Sequence, residues 1–409
     1  MPEAVIVSTA RSPIGRAHKG SLTSIRPDDL AVQMIQAAVG KVGLTGDQIE
    51  DLALGCAEPH DEHGGNMARR VAVQLGWDNT PATTVNRFCA SSTQTARMAY
   101  HAIKAGEGDI FVSAGVECVS RYKNFGSAGV GDPSSFNPLF TDAVARTEKY
   151  AETNDTWHDP RADGQIPDIY ISMGQTAENV ATLRGISRED QDVFGVRSQN
   201  LAEKAINNGF FEREITPVTL PDGTVVSKDD GPRAGTTLEK VSQLQPVFRP
   251  DGTVTAGNCC PLNDGAAAVV IMSDTKAREL GLTPLTPVDT IRASGVSGLS
   301  PEIMGLGPVE ASKQALARAG MSINDIDLVE INEAFAVQVI GSARELGIDE
   351  DKLNVHGGAI ALGHPFGSTG ARIMTTLVNG LQFEDKQFGL ETMCVGGGQG
   401  MAIVLERLS

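Results

Sequence analysis

An α/β protein made of two similar halves is what this sequence predicts, on three observations. Short apolar runs alternate along the chain with segments of helical periodicity, and that alternation lays helices over the faces of a sheet. KVGLTGDQIEDL, beginning at Lys41, matches RAGMSINDIDLV, beginning at Arg318, and TARMAYHAI from Thr95 matches GARIMTTLV from Gly370 at nearly the same offset. A single repeat over so long a period indicates a duplicated domain rather than a solenoid. From about Ser120 to Thr255 the regular texture breaks into scattered aromatics, prolines, Asp and Asn, as an insertion would. The first half is therefore taken as 1–275, with 120–255 as an inserted region that covers the substrate, and the second half as 276–409.

Taken in order, Ala4 to Ser8 reads as a buried strand before the turn RSPIG, and Leu30 to Val39 has helical periodicity ending near Gly43. Asp51 to Leu54 is the next strand and Met67 to Leu75 the next helix. Asp109 to Ala114, apolar and flanked by Gly108 and Gly115, reads as a central strand. Within the insertion, Gln175 to Leu183 and Glu189 to Asn207 are helical, the second capped by Ser187 with Glu189 and Asp190 in its first turn. PDGTVVSKDDGPR follows as a loop, and Ala266 to Met272 restores the strand pattern.

The bulk properties exclude several functions. A chain of 409 residues with 41% hydrophobic and 21% charged residues is an ordinary globular protein of two or three domains. A formal charge of -17 disfavours nucleic acid and anionic membrane as partners, and an anionic substrate would need a local basic patch. The start shows no basic segment followed by an apolar run, and no stretch of eighteen apolar residues occurs, so a cytoplasmic protein without membrane insertion is expected. Six irregularly spaced cysteines form neither a disulfide framework nor a metal site; Cys56, Cys118 and Cys259 read as core thiols. His60 and His63, in PHDEHGG, lack further ligands and read as a solvated loop, so no metal is expected.

The stretch VNRFCASSTQTARM, Val85 to Met98, places Cys89 before small residues that lead into a helix. A cysteine at a helix N-terminus has its thiolate stabilised by unpaired N–H groups and the helix dipole, so Cys89 is a candidate nucleophile. Such a nucleophile needs a base, and acyl chemistry needs N–H donors aimed at the developing oxyanion. GGAIALGHPFGSTGARI offers His364, and MCVGGGQGM offers Cys394 and the backbone of Gly396. In the register of the second match, Cys89 falls opposite His364. Asn332 and Glu333, in NEAFA, are polar residues that could also simply cap and solvate a helix.

These four motifs together resemble the thiolase family. The resemblance implies a duplicated αβαβα five-layer core with an inserted loop domain, and an acyl-CoA C-acyltransferase. It implies that Cys89 accepts the acyl group, that His364 activates it, and that Cys394 moves the proton of the substrate α-carbon or of the departing CoA sulfur. Asn332 would hold a water that forms one oxyanion hole with His364, and the N–H groups of Cys89 and Gly396 would form the other. Arg233, Cys260 and Phe335 stand where CoA is expected, Arg233 toward its nucleotide. The implied substrates are CoA and acyl-CoA thioesters with no permanently bound cofactor, and the implied assembly is a homodimer or homotetramer. Cys394 argues against a decarboxylating ketoacyl synthase, which presents a second histidine there. Ser172 stands where short-chain members tend to have a histidine that would crowd the acyl pocket, so tolerance of acyl chains longer than four carbons is expected; Cys260-Pro261 replaces a Ser-Gly pair whose serine approaches the pantetheine arm.

Overall fold

A computed structural model of the chain describes residues 2–123, 133–282 and 289–408; residues 124–132 of the expected covering region lie outside these. The chain begins with β1 (Ala4–Arg11), β2 (Gly15–Arg16), α1 (Pro27–Lys41), β3 (Asp51–Gly55), α2 (Met67–Gln74), β4 (Ala82–Val85), α3 (Ser91–Ala105) and β5 (Ile110–Cys118). Next come α4 (Thr141–Thr153), α5 (Met173–Arg184), α6 (Arg188–Asn207), β6 (Val218–Thr219), β7 (Val225–Val226) and α7 (Leu238–Val241). It continues through β8 (Asn263–Ser273), α8 (Asp274–Glu279), β9 (Asp289–Gly298), α9 (Gly307–Ala319), β10 (Leu328–Ile331) and α10 (Ala336–Leu346). It ends with α11 (Ala359–Leu362), α12 (Thr369–Phe383), β11 (Phe388–Val395) and β12 (Gln399–Arg407).

The large sheet has the order β10-β11-β12-β9-β1-β8-β5-β3-β4, with β2 beside β8. β3 runs parallel to β4 and β5, and β10 parallel to β11, while β5–β8 and β11–β12 are antiparallel. The two groups of strands meet through the register pairs Val5↔Thr290 and Ile6↔Asp289. α3 and α12 pack on each other between the groups, α3 against β3, β5 and β8 and α12 against β8, β10 and β11. α1 and α2 cover the far face of the first group, and α9, with α10 packed on it, covers that of the second. The result is the helix–strand–helix–strand–helix stack that the sequence leads one to expect. α12 explains its central place: it is apolar or small nearly all round and is buried nearly all round. At Gly370 a Cβ would stand 2.3 Å from the backbone nitrogen of Thr93, so only glycine lets α12 approach α3 this closely.

The repeat is visible in local structure as well. Thr45 with Gln48, and Ser322 with Asp325, form capping boxes just before β3 and β10. α3 and α12 each follow a three-residue 3₁₀ turn, Phe88–Ala90 and Phe366–Ser368. This corrects one expectation: Cys89 is structurally equivalent to Gly367, and His364 lies three residues earlier. The sequence match had slipped because both helices are rich in small residues that align in several registers.

In the inserted region, Ser187 caps α6 through Asp190 N–H as expected (3.0 Å). Part of the segment read as a loop pairs as a short hairpin, Val218↔Val226 and Thr219↔Val225. α5 and α6 pack against α10, and α6 also against α11, which brings the insertion over the second group of strands.

Candidate active site

Cys89 lies in the 3₁₀ turn that opens α3, and the turn is fixed from both sides. Ser91 Oγ accepts from Arg87 N–H (2.9 Å) and donates to Phe88 O (2.6 Å), while Asn86 Oδ1 accepts from Phe88 N–H (2.8 Å). Phe88 is held at φ 44°, a left-handed conformation that costs a bulky residue roughly 1–3 kcal/mol and clusters at functional sites. Two backbone N–H groups, those of Gly396 and of Cys89 itself, point at the Cys89 sulfur and stabilise its negative charge. Burial outweighs them and pushes the Cys89 thiol up to about 12, with Glu117 and Glu58 adding to the rise. The thiolate expected from the helix start is therefore disfavoured at rest, because loss of hydration exceeds what the N–H groups return.

His364 is 1% exposed and makes two ring contacts, Nδ1 to Thr369 Oγ1 at 2.7 Å and Nε2 to Asn332 Nδ2 at 3.2 Å. Thr369 Oγ1 also lies 3.1 Å from Pro365 O, which can only accept. The threonine proton therefore goes to Pro365, its oxygen accepts from His364 Nδ1–H, and Nε2 carries the lone pair, which accepts from Asn332 Nδ2. Asn332, donating through Nδ2, suits that tautomer; its Oδ1 is buried without a partner. His364 N–H is held by Asn263 Oδ1 (2.9 Å). Burial first, and Arg372 second, push the imidazole down to about 3, so His364 is neutral.

Cys394 is the penultimate residue of β11, 1% exposed, opposite Gly400. Its thiol is held well above the ordinary range, by burial and then by its proximity to Cys89. The following turn reverses through Gly397 (φ 75°) and Gly398 (φ 80°), where a Cβ on Gly398 would meet Leu299 O at 2.3 Å. Arg87 joins this turn to the Cys89 turn: its Nη1 donates to Gln399 Oε1 (2.8 Å), and Gln399 Nε2 reaches Gly396 O at 3.5 Å. Phe88 and Met173 stand beside Gly396, with atoms 3.6 and 3.8 Å from where its Cβ would be. Cys260 is a third thiol of this group, raised by burial first, then by Cys259, and then by Cys89 and Cys394 nearby.

Family models of the thiolase N-terminal domain and the thiolase C-terminal domain match residues 4–275 and 285–407. The chain belongs to the thiolase family. The thiolase named 3-ketoacyl-CoA thiolase in Bacillus subtilis (strain 168) is 44% identical, over 99% of this chain and 100% of its own length. Acetyl-CoA acetyltransferase of Cupriavidus necator is 41% identical over 100% of both chains. The crystal structure of human mitochondrial 3-ketoacyl-CoA thiolase matches with a TM-score of 0.85 at 34% identity, covering 100% of this chain and 99% of that one. The acyl-CoA C-acyltransferase activity of thiolases is accordingly the activity class of this chain.

The remaining expected positions fall at differing distances from this thiolase site. Cys260 N–H bonds to Ala334 O (3.1 Å) and Cys259 bridges to Phe335, so the cysteine pair runs beside the NEAF segment. Phe335 is 7% exposed and meets Phe248 edge-on at 6.2 Å, a packing contact. The Arg233 side chain is exposed. Its loop is seated near the His364 motif, since a Cβ on Gly231 would meet Ala361 O at 2.3 Å. Glu333 neither caps nor faces solvent: it is fully buried and accepts from Ser198 Oγ (2.6 Å), Asn354 Nδ2 (2.8 Å) and Ile360 N–H (3.1 Å). His63 is likewise buried rather than solvated, accepting from Cys118 N–H at 3.0 Å. Cys56 and Cys118 are core thiols, while Cys259 is half-buried. No group of described residues could hold a metal ion, and no helix among them is long and apolar enough to cross a membrane.

Sequence reasoning missed Thr369, Asn263 and Arg87. Thr369 follows His364 by five residues in a turn that must bring the chain back onto the ring, which is a readable spacing. Asn263 and Arg87 act across the fold and left no local signal.

Proposed function

We propose that the chain cleaves 3-oxoacyl-CoA thiolytically and condenses acyl-CoA with acetyl-CoA in reverse, through an acyl group on Cys89. The observation that carries this is the convergence of the Gly396 and Cys89 N–H groups on the Cys89 sulfur, beside the Cys394 thiol. Cys89 Sγ attacks the acyl carbon as its proton passes to His364 Nε2. Charge then moves to the carbonyl oxygen, which the two N–H groups hold; as the carbonyl re-forms, the carbon–sulfur bond to CoA breaks and His364 gives its proton to the departing sulfur, so that CoA leaves as the thiol. In the carbon–carbon step Cys394 moves the α-proton, while Asn332, through a water, and His364 face the enolate oxygen. The half 1–275, with its covering region 120–255, supplies Cys89, and the half 276–409 supplies the other groups.

Arg233, Cys260 and Phe335 are assigned to the CoA side, with CoA and acyl-CoA as substrates and no permanent cofactor. Ser172 precedes Met173 at the start of α5, and its small side chain favours acyl chains longer than four carbons. A homodimer or homotetramer in the cytoplasm is the proposed state. β4 is an edge strand, and α2 and α3 beside it expose Val73 and Met98, which supports self-association there.

The test is thiolysis with CoA across 3-oxoacyl-CoA lengths, with intact mass read after brief exposure to acetyl-CoA. One labile acetyl adduct is expected, absent in Cys89→Ala. Strict use of acetoacetyl-CoA would overturn the chain-length reading, and an adduct persisting in Cys89→Ala would remove Cys89 from its role.

A further inference from the structure

Glu117 is a charged residue near the end of an otherwise neutral core strand, β5, and it is 0% exposed. Burial of a carboxylate is costly unless its oxygens are fully engaged. Five neutral donors engage this one. Oε2 accepts from Ala57 N–H (2.7 Å) and Gly367 N–H (2.8 Å); Oε1 accepts from Tyr122 Oη, Glu58 N–H (3.3 Å) and Cys56 Sγ (3.4 Å).

Tyr122 follows Glu117 by five residues, and the other four donors belong to two loops from distant parts of the chain. Ala57 leads to the nucleophile: its carbonyl accepts from Asn86 Nδ2 (3.0 Å), and Asn86 Oδ1 in turn holds the N–H of the left-handed Phe88. Gly367 leads to the base, three residues after His364. The seat for that second loop is cut to fit. A Cβ on Gly115 would meet Gly367 O at 2.3 Å, and one on Gly367 would meet Cys56 Cα at 2.6 Å and Glu117 Oε2 at 2.7 Å.

We infer that Glu117 is a positioning residue, which ties the Cys89 turn and the His364 loop to one buried carboxylate and so sets the spacing of nucleophile and base. It touches no reacting atom. The inference rests on the proposed roles of Cys89 and His364, but its structural half, a single anchor for two loops, does not depend on them. Reach is as necessary as charge: aspartate keeps the charge but is one methylene short of bridging both loops. Glutamine keeps the length but turns N–H groups toward N–H groups.

The experiment compares Glu117→Gln, Glu117→Asp and Tyr122→Phe with the unmodified enzyme by hydrogen exchange and by kinetics. Exchange is expected to rise together at Ala57–Glu58 and at Gly367 in the two Glu117 variants, with β8 unchanged. Thiolysis kcat should fall about 10²-fold, as a misplaced reacting group requires, with the KM for CoA altered by less than about twofold. Tyr122→Phe removes one donor and keeps the carboxylate, so it reports even where the Glu117 variants do not fold; a smaller paired rise in exchange is expected. Exchange that rises in only one loop, kcat within about twofold of the unmodified enzyme, or a KM for CoA that rises in step with the loss of kcat each overturns the inference. Hydrogen exchange needs no substrate. Absence of thiolysis in the unmodified enzyme would instead overturn the proposed function and leave the paired exchange result to decide the anchor.

Discussion

Replacing Thr369 with valine should disable His364 without touching it. The hydroxyl accepts from His364 Nδ1–H at 2.7 Å where both residues are at most 1% exposed, so no bulk solvent replaces it. Valine matches the shape of threonine but cannot accept. Pro365 O keeps its bonds from Ser368 N–H and Oγ, both at 2.9 Å, so the loss concentrates on the imidazole. A buried donor left unsatisfied costs about 1–3 kcal/mol. That penalty falls on the Nδ1–H tautomer, and once the Asn332 amide turns its unpartnered Oδ1 to accept from Nε2–H, at 1.4 kcal/mol per factor of ten it shifts the tautomer ratio by about 5- to 150-fold toward Nε2–H. A base whose proton already sits on Nε2 cannot take one from Cys89. The expected result is a fall in acylation of Cys89 by acetyl-CoA of about 10- to 10²-fold, with Thr369→Ser restoring most of it. Nitrogen-15 NMR of the histidines gives the tautomer directly. A Thr369→Val variant with unchanged acylation, or with Nδ1–H still dominant, would refute this account of the base.

Two further outcomes follow from the geometry. Cys394→Ala should retain acyl exchange between acetyl-CoA and labelled CoA, because the Cys89 and Gly396 N–H groups remain, while condensation falls about 10²–10⁴-fold; equal loss of both would assign Cys394 to the glycine turn instead. Glu330 and Glu391, paired in register on β10 and β11, are pushed up to about 8 by burial, against an ordinary value of about 4.3 when unfolded. The folded state thus holds protons the unfolded state has lost, and stability is present at low pH and lost as pH rises toward and through about 8. Glu330→Gln, which mimics the protonated acid, should melt with the unmodified protein near pH 4 and progressively above it as the pH is raised to 9. A constant difference in thermal midpoint across that range would contradict the raised values.

What could be read from the sequence was what is local. Cys89, His364 and Cys394 each lie where a strand or a glycine-rich turn changes direction, and the residue types alone suggest the chemistry. The alternation of elements and the matching segments that begin at Lys41 and Arg318 carried the duplicated architecture in the same way. The register between the halves was not legible, because the small residues of α3 and α12 match in several alignments; the 3₁₀ turns set it. The state of the site was not legible either. A cysteine at a helix start reads as a thiolate, but whether burial overrides the N–H groups depends on elements hundreds of residues away, such as the Gly396 turn. His63 failed for a related reason: its loop is polar in sequence but is folded under Tyr122, 5.2 Å away ring to ring. A carboxylate inside a core strand is nevertheless a readable anomaly, since such residues are almost never fully buried unless paired. Glu117 in IFVSAGVEC, Glu330 in LVEI and Glu391 in FGLETMCV all carry that signal.

The neutrality of both Cys89 and His364 bears on how the acyl group is taken up. With the thiol pushed up to about 12 and the imidazole down to about 3, both chiefly by burial, each group favours its neutral form in the empty site. The neutral pair is therefore the favoured resting state. In the proposed acylation the proton leaves sulfur as the sulfur–carbon bond forms, when the negative charge passes on to the carbonyl oxygen. The Gly396 and Cys89 N–H groups converge beside the sulfur, where that oxygen arrives. The burial that makes the resting thiolate costly also strengthens these two bonds in the transition state, because water is absent to compete for them. The site thus stabilises the negative charge chiefly once it has moved from sulfur to the substrate oxygen. Loss of an N–H donor should accordingly slow acylation more than it weakens the binding of acetyl-CoA.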